Sequence, residues 1–340
     1  MTPPTLRLAT ADYDRVAALA DGRVTVEGID LAVEYLAPSE TFYRMLSANE
    51  FDLAEMSLSS FLISRESRDG ADSGWDWTAI PVFPQRTAFH TSIYVREDAG
   101  IAVPQDLAGK RFGLTEYQVT AAVWTRGTLE DDFGVAPRDV QWFIERTPEL
   151  SHGGETGFRP PPGVHLSHIP EGKTLQSMLL DGELDAILPS PYPGMASRLN
   201  RTDEGDLGSI PGIRRLFPDP WAELVRFYEA HGFLHANHTI VVQDRHLAAD
   251  PQLARRLFDA FAASKSLAYD NLRALVRSSL LMAAVRLEEQ HLAFGDDPFP
   301  YGFSANRDAL ETLARYSAEQ GLTTTPADVA SLFAKQTLDT

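Results

Sequence analysis

Short apolar, β-branched runs alternate with amphipathic stretches in two successive series along this chain. That alternation constrains the fold more than any other feature. The first series places strands at 6–10, 29–36, 51–56 and 77–82, with helical stretches at 13–19, 39–46 and 57–67. In the second of these helices, Ser39 stands before an acidic residue as an expected N-cap, and Phe42, Met45 and Leu46 are spaced for one buried face. The second series places strands at 110–114, 140–145, 165–169 and 184–188, with helices at 118–133 and 174–181 and a Gly/Pro-rich surface excursion at 151–163. Strand–helix alternation implies a mainly parallel sheet with helices on its faces. Residues 198–219 read as polar and turn-rich, 221–231 as helix, and the remainder mostly as helices at 252–275, 280–287, 305–320 and 327–334. Tracts containing Phe258, Phe261 and Leu267 read as core stripes.

Two further β-branched runs fit neither series. The stretch 83–95 (FPQRTAFHTSIYV) opens as a Pro turn and ends extended; 236–242 (ANHTIVV) has the same character. They read as the two segments by which the chain crosses between units and returns. Domain one is then 1–92 plus 240–340, and domain two is 93–239. In open α/β sheets ligands bind beyond the C-terminal ends of strands, so a cleft between two such units is the expected site.

Composition excludes several functions. The 340 residues carry a formal charge of -18, so a nucleic-acid partner is not expected. An anionic small molecule remains possible given local Arg, His or backbone N–H groups. No cysteine is present, which removes disulfides, thiol nucleophiles and Cys-ligated zinc. No apolar run of about 18 residues exists to span a membrane, and the first residues lack the pattern of a secretory signal, so a cytoplasmic protein is expected. GxSxG, GxxxxGK[ST] and GxGxxG patterns are all absent.

The segments DGRVTVEGIDL, FDLAEMSLSSFL, IPVFPQRTAFHTSIYV, DLAGKRFGLTEYQVTAAVWTRG and PYGFSANRDALE together resemble the 4,5-dihydroxyphthalate decarboxylase family over almost the whole chain. The resemblance implies an α/β fold of two βαβ domains of type II periplasmic-binding-protein-like architecture, with two crossing strands and a helical C-terminal segment. It also implies non-oxidative decarboxylation of a hydroxylated aromatic acid. A ring hydroxyl para to the departing carboxylate pushes electrons to the ipso carbon, an acid protonates that carbon, and CO₂ leaves. No organic cofactor is then expected, and the partner is a small aromatic carboxylate, with a homo-oligomer possible. The alternatives are a non-catalytic solute-binding protein, or a metal-assisted lyase or hydrolase on the same scaffold.

Each candidate residue has a plain structural reading beside the functional one. Arg86 suits a carboxylate, or is a surface residue. His90, four residues on, shares a face with Ser92 if the run is extended. His90 and His238 are the candidate acid/bases, and the pair is the alternative divalent-metal site. Glu55 and Ser57 end a buried strand, where desolvation raises a carboxyl pKa as a general acid needs. Glu116 and Tyr117 stand before a helix whose N-terminus can receive an anion, with Thr120 just inside it; the plain reading of Glu116 is a helix-start acid favoured by the dipole. Ser190 closes another strand, and Tyr301 lies among prolines where it packs on a ligand ring or on the core. Arg86 with Ser92 or Thr120 is the expected carboxylate anchor, and Glu55 or Glu116 the group that orients a histidine.

Overall fold

The opening strand β1 (Thr5–Thr10) turns Leu6 and Leu8 inward and Thr5 and Arg7 to solvent, the period-two signature of a half-buried strand. This is a computed structural model describing residues 3–68, 75–147, 151, 160–190, 199, 207–274 and 281–340. After β1 come α1 (Asp14–Ala20), β2 (Asp30–Tyr35), α2 (Pro38–Ala48), β3 (Leu53–Ser57), α3 (Leu58–Arg68) and β4 (Trp77–Ile80). The crossing then supplies β5 (Arg86–Thr87). A second series follows: β6 (Tyr94–Arg96), β7 (Arg111–Leu114), α4 (Thr120–Phe133), β8 (Gln141–Ile144), β9 (His165–His168), α5 (Leu175–Leu180), β10 (Ala186–Leu188), β11 (Ile213–Arg215) and α6 (Pro220–His231). The return brings β12 (His235–Ala236) and β13 (His238–Gln243), then α7 (Asp244–Ala249), α8 (Leu253–Ala274), α9 (Ala283–Phe294) and α10 (Arg307–Glu319).

Among the described residues these strands make two large sheets. The first has the order β2–β1–β3–β13–β4, parallel from β2 to β3, with β13 inserted antiparallel between β3 and β4. The second has the order β11–β6–β10–β7–β8–β9; its four strands from β10 to β9 are parallel, and β6 and β11 complete an antiparallel margin. The 238–243 return strand thus belongs to the sheet begun at residue 5. Between the sheets β5 and β12 form a separate two-stranded ribbon, so the chain crosses twice side by side.

The details differ from the sequence reading at four places. Residues Phe89–Ser92 are a 3-10 turn, not an extended run, so His90 and Ser92 do not alternate along a strand. Ala37, not Ser39, is the N-cap of α2; Pro38 takes the first helical position, where its missing N–H costs nothing. The expected helix at 327–334 is a 3-10 turn, Val329–Leu332. The turn-rich 198–219 segment contains β11, too short and too Arg-rich to announce itself. The 151–163 excursion lies, apart from Ser151 and 160–163, outside the described residues. None of the helices in the described residues is long and apolar enough to cross a membrane.

One apolar cluster runs through both halves, joining Phe42, Phe61 and Trp77 to Phe112, Trp124, Trp142 and Leu313. The C-terminal helix α10 packs on both α3 and α4. At Gly127 of α4 there is no room for a Cβ, which would run into the Tyr316 ring of α10. Gly127→Ala should therefore overpack the interface and cost about 1–3 kcal/mol, read as a lower urea midpoint, although alanine is otherwise the better helix former.

Candidate active site

Strand ends assemble the site. β3 ends on Glu55, Met56 and Ser57, and antiparallel β13 begins beside it, with His238 in register with Ser57. From the second sheet, β7 runs out into Thr115 and Glu116, β8 into Arg146, and β10 into Ser190. The first turns of α2 and α4 supply Ser39 and Phe42, and Thr120 and Ala121. A cavity of about 40 Å³ lies among Ser39, Phe42, Ser57, Thr115, Val119, Thr120, Ala121, Arg146, Ser190, Asn237 and His238.

Glu55 and His238 form its most tightly built part. Glu55 is fully buried and accepts from Thr10 Oγ1 (2.9 Å), the Ala11 N–H (3.0 Å), Tyr13 Oη (2.8 Å) and His238 Nδ1 (2.5 Å). Burial pushes the carboxyl pKa up, but the His238 charge, the hydrogen bonds and the Ala11 amide outweigh it and hold the pKa below its ordinary value. This corrects the expectation of a raised pKa: the contacts hold Glu55 as an acceptor. A carboxylate that can only accept requires the proton on His238 Nδ1, which directs Nε2 to the other side of the ring. The edge of Phe42 meets that ring at 4.8 Å between centroids and fixes its plane.

Hydroxyls tie the two sheets together beside this pair. Ser57 Oγ lies 2.8 Å from Thr120 Oγ1, which also accepts the Ser59 N–H at 3.1 Å, while Ser57 Oγ caps α3 by accepting from Ser60 N at 3.3 Å. Across the cavity Glu116 and Arg146 make an ion pair at 2.6 Å, both almost wholly buried. Glu116 also accepts from Gln118 Nε2 at 2.8 Å and from Ser151 Oγ. Glu116 is therefore the counter-ion of a pocket-lining arginine, behind the wall and not on it.

Other expected residues lie elsewhere. Arg86 points away from the cavity: it donates to the Leu234 and Pro300 carbonyls (3.0 and 3.2 Å) and to Asn306 Oδ1, and burial pushes its pKa down to about 10. It fastens the β5–β12 ribbon to the C-terminal segment and does not anchor a ligand in this pocket. His90 is completely buried against Phe217 and Phe227, with Nε2 2.7 Å from Glu223 Oε1; burial lowers its pKa, so a neutral ring donates to an ionised Glu223. The 3-10 turn turned it out of the pocket wall, together with half-buried Ser92. Tyr117 lies under Arg126, 3.6 Å from ring centroid to guanidinium, and Tyr301 sits in the first sheet's core against Lys265; burial raises the pKa of both phenols. His90 and His238, the pair weighed as a metal site, have separate carboxylate partners, and no group of three or more potential metal ligands occurs among the described residues.

The cavity is also lined by Arg146, Asn237 and Thr115, which the sequence does not single out, and by Phe42 and Ser39, which it marks only as a core residue and a helix cap. Arg146 had one available signal: it follows the end of β8 by two residues as Glu116 follows the end of its parallel neighbour β7, and parallel strand ends line clefts.

No protein-family model matches the chain. Solved structures match it throughout at low identity. The periplasmic aliphatic sulphonate binding protein SsuA from Escherichia coli superposes with a TM-score of 0.56 at 14% identity, covering 100% of both chains. The desulfurization enzyme DSZB does so with a TM-score of 0.54 at 16% identity, covering 97% of this chain and 96% of that one. These likenesses establish the periplasmic-binding-protein-like α/β fold that the sequence implied. Sequence relatives are nearer. A 4,5-dihydroxyphthalate decarboxylase of Pseudomonas putida is 34% identical over 225 residues, 66% of this chain and 81% of that protein. One of Comamonas testosteroni is 31% identical over 336 residues, 98% of this chain and 97% of that protein. With identity at that level sustained from end to end, the chain belongs to the 4,5-dihydroxyphthalate decarboxylase family.

Proposed function

We propose that this protein decarboxylates a hydroxylated, phthalate-like aromatic acid without oxidation, with His238 as the proton donor. The observation that carries the reading is the buried Glu55 carboxylate 2.5 Å from His238 Nδ1 on the cavity wall. Such a carboxylate accepts from Nδ1 and fixes the orientation of the ring, so that Nε2 is the atom that delivers the proton. Electrons from the ring hydroxyl para to the departing carboxylate attack that proton through the ipso carbon. The bond to the carboxylate then breaks, its electron pair restores the aromatic ring, and CO₂ leaves; the net change is exchange of CO₂ for one proton. Because the hydroxyl supplies the electrons, chemistry of this form needs no organic cofactor. The reading also requires the walls to part, since about 40 Å³ cannot hold an aromatic diacid. The side-by-side β5 and β12 crossing is the place for such a hinge.

The second reading, a protein that only binds a carboxylate, is favoured by the SsuA likeness. Fold alone does not separate the two. Incubation with 4,5-dihydroxyphthalate in D₂O separates them: the decarboxylase releases one CO₂ per product and places one deuterium at the vacated ring carbon. Saturable binding with no CO₂ from this or other hydroxylated aromatic acids would leave the binding protein standing.

A further inference from the structure

Glu55 has two carboxylate oxygens, and the fold gives them unlike partners. Oε2 takes the Thr10 hydroxyl at 2.9 Å and the Ala11 N–H at 3.0 Å, both where β1 ends. Oε1 takes the Tyr13 hydroxyl at 2.8 Å and lies 2.5 Å from His238 Nδ1. Four donors meet about four lone-pair directions, so the carboxylate is saturated. It is fully buried and is not among the residues lining the cavity. Its influence on a ligand passes through His238.

Tyr13 is set in place independently of Glu55. It stands in an extended conformation as the N-cap residue of α1. Its N–H donates to the Ala11 carbonyl at 2.9 Å, and its own carbonyl accepts the Val16 N–H at 2.9 Å. The Arg15 guanidinium lies 5.4 Å from its ring centre, and Arg15 Nη2 donates at 2.7 Å to the carbonyl of Pro84 in the first crossing. His238 opens the return strand β13. Donors from two separate elements therefore share one oxygen atom.

Sharing has an electrostatic consequence. A carboxylate oxygen with a single donor pulls hard on that N–H, loads electron density onto the imidazole and makes Nε2 hold its proton more firmly. A second donor on the same oxygen draws off part of that density. A proton donor to carbon needs a partner strong enough to orient it and weak enough to let the proton go. We infer that Tyr13 is a positioning residue for the proton donor: by donating to the same carboxylate oxygen as His238, it limits how tightly Glu55 holds the ring and keeps the Nε2 proton transferable. Tyr13 is not among the residues lining the cavity, so its effect is on transfer and not on substrate binding. The effect on rate rests on the decarboxylase reading; the shared oxygen does not.

The test compares Tyr13→Phe, which deletes the hydroxyl and keeps the ring, with Thr10→Val, which deletes a donor to the other oxygen and suits a strand. Three donors remain on the carboxylate in each, so neither variant strands it. In protein labelled with ¹⁵N-histidine, the Nδ1–H resonance of His238 is identified by its loss in His238→Gln. Tyr13→Phe should move that resonance downfield as the bond to Glu55 strengthens, and Thr10→Val should move it less. In turnover of 4,5-dihydroxyphthalate, Tyr13→Phe should lower kcat by about 3–10-fold, the worth of one hydrogen bond read as a rate, and leave KM within about twofold. A tyrosine that only supports the fold predicts a lower urea midpoint with the resonance and kcat of the folded protein unchanged, and that result overturns the assignment. An upfield shift overturns it too, as does a downfield shift equally large in Thr10→Val. A shifted resonance with kcat unchanged overturns the role in proton transfer. A resonance that moves as expected, with no turnover of any hydroxylated aromatic acid by the wild-type protein, upholds the shared oxygen and overturns the decarboxylase reading instead.

Discussion

His238→Gln should lower turnover of 4,5-dihydroxyphthalate by about 10²–10⁴-fold, the usual contribution of a positioned general acid. Glutamine nearly keeps the volume of the ring and can still donate an amide N–H to Glu55, so the buried carboxylate is not stranded. What it lacks is a proton that can be given up near neutral pH. The loss should fall on kcat and kcat/KM alike, because protonation of the ipso carbon occurs only on the way to the transition state. Stopped-flow measurement of CO₂ release from a single turnover reads the step directly. His90→Gln makes the contrast. That histidine is enclosed by Phe217 and Phe227 and bonded to Glu223, away from the cavity wall. Its replacement should cost about 1–3 kcal/mol of stability and leave the turnover of the folded protein within a few fold. A His238→Gln protein that still releases CO₂ at the wild-type rate would end the role given to His238, and loss of turnover in folded His90→Gln would move it to the other crossing.

Much of the architecture was legible because it rests on local pattern. Alternation of Leu6, Leu8 and their neighbours marks β1, and the β-branched run 238–242 marks a strand buried on both faces. The site was only half legible. Both crossings carry histidines, and only the backbone decides which one meets the cavity. His238 opens a strand whose register against Ser57 places it there, whereas a 3-10 turn at Phe89–Ser92 swings His90 into an aromatic nest. Nothing in the string FHTS distinguishes those outcomes. The direction of the Glu55 shift was hidden for a different reason. Burial alone predicts a raised pKa, and all four donors that reverse it, Thr10, Ala11, Tyr13 and His238, lie more than 40 residues away in sequence. Arg146 was obscured by its setting: an arginine after a strand and before Thr-Pro reads as an ordinary turn until its neighbour Glu116 is seen.

The same scaffold serves a sulphonate-binding protein and a desulfurization enzyme among the solved structures, so the difference between holding a ligand and changing it must lie in a few side chains. In this chain the distinguishing feature is an imidazole backed by a carboxylate that is anchored from a third element. Thr10 and the Ala11 amide, where β1 gives way to the α1 loop, hold Glu55 from behind. Binding a carboxylate requires no such arrangement. Delivering a proton to carbon does require it, since the donor must be charged in a buried place and aimed before the ring arrives.

That arrangement makes Glu55→Gln the most informative single change. An amide oxygen replaces the ionised one, and an amide N–H can turn toward His238 Nδ1. The ring is then no longer held with its proton on Nδ1, and it loses its anionic partner. Turnover should fall by about 10²–10⁴-fold, in line with losing an oriented acid. Stability should fall as well, by about 3–5 kcal/mol, because one partner of a buried pair has been removed. The pH dependence separates this effect from general damage. Glu55 titrates below its ordinary value of 4.5 in the folded protein, so its stabilisation is complete above that value and is lost as the pH falls through the folded pKa. Urea midpoints should therefore show a gap between wild type and Glu55→Gln at about pH 5 that closes as the pH falls from there to about pH 3. Asp52, Asp132, Asp185 and Glu223, whose pKa values are also held down, titrate in both proteins and cancel from the difference. A gap that does not change with pH would mean that Glu55 contributes through shape and hydrogen bonding alone, and His238 would then lack the charged partner that its role as an acid requires.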